Sequence, residues 1–204
     1  MTIRNLHRIC AIPIAAFALV HLANHLVSLV GISAHIAFME AARRVYRQPA
    51  IEAVLLLAVA FQVGSGMSFL IRRWRKQRGL IARLQMGSGA YLAFFLCVHV
   101  GAVLFGRSVL MLDTNFYFAA AGFHAPPYQF VFAPYYFFGV LALFTHLGCA
   151  AYWRLGPATF PARTLAVALP GVVGGVVALL ICLSLAGMIQ PVEVPANFQA
   201  TYAR

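Results

Sequence analysis

Seven histidines occur in this 204-residue chain, and four of them stand inside long apolar stretches: His21, His25, His99 and His146. An imidazole at hydrocarbon depth is costly unless it is paired, so each is a candidate for function, with a hydrogen bond to a neighbouring helix as the structural alternative. Depth sorts them. His21 lies just past the midpoint of the first apolar stretch, about 4 Å toward its far end, and His99 lies about 6 Å past the midpoint of the third, toward the same side. Two imidazoles on different helices at matched depth are able to ligate both faces of one haem iron. His146, in the fourth stretch, falls slightly to the opposite side, and the residue at its depth in the second is Gln62. One site thus has two histidines and a second has a histidine and a glutamine.

The flanks suit a flat macrocycle. Gly64 and Gly66 follow Gln62, and Gly87 and Gly89 open the third stretch; such glycines also serve simply to let helices approach. His25 stands one turn beyond His21 on the same face, as an alternative ligand or a contact for a propionate or quinone. His7 lies at the near end of the first stretch, while His35 and His124 belong to the far side.

The elements that must position these groups follow from composition. The chain is 63% hydrophobic and 9% charged, too little charge to solvate a soluble domain of this length. Five stretches near 7–30, 51–71, 86–105, 134–153 and 164–189 approach or reach the roughly 20 residues needed to cross a bilayer. The expectation is an all-α, single-domain bundle of five transmembrane helices. Residues 33–46 are predicted to form an amphipathic helix on the outer surface, ended by Pro49. The aromatic 106–133 segment is expected to fold back as a lid. The first stretch is too long for a signal-peptide core and is predicted to be a permanent helix.

Charge sets the topology. Arg4, Arg8, Arg72, Arg73, Arg75, Lys76, Arg78, Arg83, Arg154 and Arg163 collect on one side without an acid, and Arg43, Arg44, Arg47, Arg107 and Arg204 share the other with Glu40, Glu52, Asp113 and Glu193. The positive-inside rule puts the N-terminus in the cytoplasm and the C-terminus outside. The formal charge of +11 therefore marks topology and not nucleic-acid binding, and the basic 72–78 run suits anionic lipid or a cytoplasmic partner. Cys10, Cys97, Cys149 and Cys182 have no metal-ligand spacing and suggest neither disulfide nor iron–sulfur cluster. No phosphate-binding glycine motif occurs in a strand-to-helix context.

Several motifs occur in order. Leu6-His7, Pro13 and His21-Leu22 mark the first helix; Glu52, then position 62 with Gly66 four residues on, the second; Leu84-Gln85, Gly89 and His99 the third; and Gly139-Val140-Leu141 leading to His146 the fourth. Over roughly residues 4–153 the chain resembles the cytochrome b membrane-anchor subunit of succinate dehydrogenases and fumarate reductases, of the single-chain five-helix type. The resemblance implies His21 and His99 as axial ligands of an outer haem b, and His146 as one ligand of an inner haem. Gln62 departs from the histidine that such anchors carry there, and an amide oxygen is a poor ligand for ferrous haem. The inner site is then empty, five-coordinate on His146, or completed by an unidentified ligand.

The resemblance also implies a quinone, and flavoprotein and iron–sulfur subunits on the cytoplasmic side of the cell's inner (cytoplasmic) membrane. Glu40 and Glu52 are candidates for the quinone's proton group, with ion pairs to Arg43, Arg44 or Arg47 as the plainer role; those arginines or Arg107 would also suit haem propionates. The expected function is a haem b-binding, quinone-reactive electron-transfer subunit, not a complete enzyme. The alternative is a haem-free anchor or assembly partner. A small-solute transporter finds no support in an inverted repeat or paired broken helices.

Overall fold

A computed structural model describes residues 2–73, 75, 78–156 and 160–202; of the charges assigned to the two sides above, Lys76 and Arg204 lie outside the described residues. The chain is 81% helical, with no strand among those residues. In order come α1 (Ile3–Val27), α2 (Ile32–Tyr46), α3 (Pro49–Arg73), α4 (Leu80–Ser108), α5 (Phe116–Ala120), a 3-10 turn (Ala121–Phe123), α6 (Gln129–Arg154), α7 (Phe160–Leu185) and α8 (Ala196–Gln199). Helices α1, α3, α4, α6 and α7 have mean hydropathies of 1.6 to 2.5 over their most apolar windows and at least 25 residues each, enough to cross a bilayer. The protein is a multi-pass membrane protein.

Local chemistry sets the helix ends and shifts them from the predicted ones. Thr2 caps α1, its hydroxyl accepting from the Asn5 amide at 3.3 Å, so the first span starts at Ile3 and not near 7. Pro49 does not merely end α2; it opens α3, where a missing N–H costs nothing. Helix α4 begins at Leu80, directly after Gly79 at φ +89°; its 29 residues run about 43 Å, longer than a hydrocarbon core of about 30 Å. Helix α7 stops at Leu185, short of the predicted 189, because Gly187 turns left-handed at φ +73°. There the Met188 amide donates to Leu183 O at 2.9 Å and Gly187 to Ser184 O at 3.1 Å, closing a Schellman cap.

Packing follows a ring. Helix α1 lies against α3, α3 against α4, α4 against α6 and α6 against α7, with α7 touching α1 more lightly. Helices α1 and α4 face each other across the interior without close backbone packing. The α6–α7 contact is the most extensive and rests on small residues: a Cβ at Gly148 would lie 2.9 Å from Ala166 O and 3.2 Å from Val167 Cα. One end of the bundle carries Arg4, Arg8, Arg72, Arg73, Arg75, Arg78, Arg83, Arg154 and Arg163; we call it the basic end. The other, the capped end, is covered by α2, α5 and the 106–133 segment, which folds back as expected: Phe116 and Ala120 are fully buried and pack with Val140, Ala178, Ile181 and Leu185.

Gly148→Val overpacks against backbone that is unable to yield, and costs about 1–3 kcal/mol. Its thermal midpoint in detergent should fall clearly below that of Gly171→Val, where the added group meets open space; equal midpoints would refute the packing account.

Candidate cofactor site across the bundle

The four membrane-depth histidines sort into two groups, as the depth count predicts. Near the capped end, His21 on α1 and His99 on α4 bring their ring centroids to 5.9 Å at an interplanar angle of 62°. Each ring is held in plane by a phenylalanine one turn earlier on its own helix: Phe17 stacks on His21 at 5.6 Å and 12°, and Phe95 on His99 at 5.1 Å and 10°. The recurring Phe-x-x-x-His spacing is a sequence signal that the histidine count alone missed. Tyr136 of α6 closes edge-on against His99 at 6.1 Å.

Two further imidazoles extend this pair into a row. His25 lies 4.8 Å from His21, and His35 on α2 lies 5.2 Å from His25. His35, expected only on the far side, is 2% exposed. Its Nδ1–H donates to Asn24 O at 2.8 Å and its Nε2 accepts from Asn24 Nδ2 at 3.2 Å, which sets the tautomer. Burial holds this imidazole below its ordinary range, opposed by the bond to Asn24 and aided by the Arg43 charge. His25 Nδ1, by contrast, is buried without a hydrogen-bond partner.

The second group lies toward the basic end and includes a residue that sequence reasoning left at the helix end. His7 of α1 meets Ser65 Oγ at 2.6 Å through Nδ1 and Gln62 Nε2 at 2.9 Å through Nε2. Gln62 therefore donates its amide to His7, while its Oε1 is buried and unpartnered. His146 of α6 places Nδ1 3.1 Å from Gln85 O and 3.3 Å from Ser88 Oγ. Gly89 makes room for the His146 ring, whose Cε1 would lie 3.0 Å from an added Cβ, whereas a Cβ at Gly66 would meet His7 Cε1 at 3.7 Å, in ordinary contact. At Gly64 and Gly87 an added Cβ would meet nothing within 4 Å.

The charged candidates gather at the capped end with partners other than those expected. Glu52 pairs with Arg107, not with Arg43, Arg44 or Arg47; the first turn of α3 faces the last turn of α4, and each charge also suits its own helix dipole. Arg43 pairs with Asp113 at 2.8 Å and Arg47 donates to Thr114 Oγ1 at 3.0 Å. Glu40 and Arg44 lie on the exposed side of α2, whose buried positions are His35 and Met39, so neither reaches the histidine row.

Among the described residues no three or more His, Cys, Asp or Glu side chains converge to hold a metal ion. Haem iron asks less, because its macrocycle supplies four nitrogens and the protein only the axial ligands. Two metal–nitrogen bonds of about 2 Å and two ring radii of about 1 Å put opposed imidazole centroids about 6 Å apart. His21 and His99 match that separation, and neither ring is engaged in a hydrogen bond among the described residues. The residues present fit the group.

Comparison of the chain with protein-family models, with curated proteins and with solved structures finds no match.

A buried neutral His35 takes up fewer protons than the unfolded chain, so its contribution is complete above about pH 6.5 and is lost as the pH falls below it. The thermal midpoint should drop between pH 7.5 and 5, and drop less in His35→Asn, which keeps a donor for Asn24 O; an identical pH profile would exclude His35 as a cause.

Proposed function

We propose that this chain is a haem b-binding, quinone-reactive electron-transfer subunit, similar in role to the cytochrome b anchors of succinate dehydrogenases and fumarate reductases. The observation that carries the reading is the meeting of His21 and His99 at 5.9 Å, from helices without close backbone packing on one another, with neither ring spent on a hydrogen bond among the described residues. Haem b, when bound, takes up and returns single electrons as its iron alternates between ferric and ferrous.

The chain's own residues supply orientation and proton handling. Phe17 and Phe95 keep the two imidazoles from turning. His25, beside His21 with a bare Nδ1, is placed to accept a proton from a quinol. Glu52, tied to Arg107, serves less well as that group. Arg43 keeps a buried Nε without a partner and suits a propionate. The positive-inside rule turns the basic end to the cytoplasm, where anionic lipid and flavoprotein and iron–sulfur subunits of an inner-membrane complex would meet it. On this reading succinate or fumarate chemistry belongs to those subunits.

Purified wild-type protein should show a b-type reduced-minus-oxidised spectrum. His21→Ala and His99→Ala should each lose the same haem, one per chain, whereas Cys97→Ala keeps it. A colourless wild-type preparation from haem-replete cells would instead leave a haem-free anchor. Reduction by added quinol should slow by about 100-fold in His25→Leu if that imidazole takes the proton; an unchanged rate would remove it from the role.

A further inference from the structure

Arg163 stands apart from the other charges of the basic end. Among the described residues that end carries nine arginines; eight are exposed and Arg163, three residues into α7, is half-buried. Its guanidinium carbon lies 4.2 Å from the centre of the Tyr152 ring of α6. Its Nε is buried and has no hydrogen-bond partner among the described residues. Backbone packing sets this position. Gly148 lets α6 approach α7 at Ala166 and Val167, and Tyr152 and Arg163 each lie about one turn from that contact, toward the basic end.

Stacking on tyrosine covers one face of the cation but accepts none of its N–H donors. A partly buried arginine without an acceptor is costly, and such a group ordinarily stands against a carboxylate or a phosphate. The chain offers no carboxylate here. Glu40, Glu52, Asp113 and Glu193 all belong to the capped end, and both ion pairs among the described residues are there. Nor does the first turn of α7 hold an acid, so the positive end of that helix adds to the field of the arginine. The counter-charge must come from outside the chain.

The surroundings select its carrier. Trp153 is 52% exposed, stands edge-on to Tyr152 at 5.1 Å and donates its indole N–H to Gln85 Oε1 at 2.7 Å. Tyrosine and tryptophan at the end of a span belong to the headgroup level of a bilayer. Further along the same two helices, Leu147 of α6 and Leu169 and Val173 of α7 are exposed, so acyl chains find apolar surface beyond the cation. We propose that Arg163, held on the Tyr152 ring, anchors the phosphate of an anionic glycerophospholipid bound between the basic ends of α6 and α7. The assignment depends on neither haem nor quinone. It differs from the attraction of the exposed arginines, which is spread over the whole basic end and holds no one molecule.

The test uses the full chain purified in non-ionic detergent, titrated with fluorescent phosphatidylglycerol and, separately, with fluorescent phosphatidylcholine. Wild type should bind phosphatidylglycerol more tightly. Arg163→Gln should bind it about fivefold more weakly, the loss expected for one cation at the headgroup. Tyr152→Leu, which keeps the charge and removes its platform, should also bind it more weakly, and it carries the test should Arg163→Gln not fold. Arg75→Gln, which removes an exposed charge, should stay near wild type. Equal weakening in Arg75→Gln and Arg163→Gln would reduce the effect to a diffuse field and overturn the site. Displacement of the lipid by inorganic phosphate would overturn the lipid as its occupant. A wild type without preference for phosphatidylglycerol would overturn it too, and would leave an acidic segment of a partner protein as the counter-charge.

Discussion

An imidazole inside a bilayer has no water to fall back on, and this bundle carries five on its membrane-spanning helices, with His35 of α2 buried beside them. Hydrocarbon removes the solvent that would hydrogen-bond a stray ring nitrogen, so each histidine must find an oxygen, an amide, another ring or a ligand. The solution differs at the two ends. Near the basic end, serine and backbone oxygens hold Nδ1–H of His7 and His146. Near the capped end, His35 is saturated by Asn24, whereas His21, His25 and His99 have chiefly one another and aromatic faces. Unspent lone pairs concentrated in an apolar interior are what give the fold its proposed chemistry.

The helix ring turns this constraint into geometry. Because α3 stands between them on one side and α6 and α7 on the other, α1 and α4 are kept apart in backbone yet meet through their imidazole side chains. Small residues permit this where bulk would not: Gly89 lets the His146 ring lie against α4, and Gly139 takes the Phe95 ring that in turn stacks on His99. On the flank, Gly148 lets α7 come close to α6 and seals that side without intruding on the interior. The capped end is closed by covalently distant parts of the chain. Ser28 meets Ser184 at 2.7 Å, and Phe116 packs edge-on against His35 at 5.3 Å.

Depth along a helix can be counted from sequence because the rise per residue is nearly constant. That is why His21 and His99 were legible as one level and His146 with Gln62 as another. Azimuth was less legible. Glu52 had several arginines within reach by depth, and only the adjacency of α3 and α4 selects Arg107. The apolar pattern alone places His7 at a helix end, because hydropathy rises only near residue 7; the Thr2 cap starts α1 four residues earlier and carries His7 into the bundle beside Ser65. His35 was assigned by topology to a surface helix, and the 106–133 segment then buried it under Phe116.

Composition alone determined that the chain lives in lipid, since a 63% hydrophobic chain has no other solvent. Spacing determined the number of spans, the amphipathic helix and the levels of the histidines, all consequences of a fixed helical rise and a fixed hydrocarbon thickness. Which rings face each other, which nitrogens stay free, and that Gln62 serves His7 were decided only in the folded bundle. Those outcomes depend on rotation about helix axes and on neighbours far apart in sequence, and no one-dimensional count contains them.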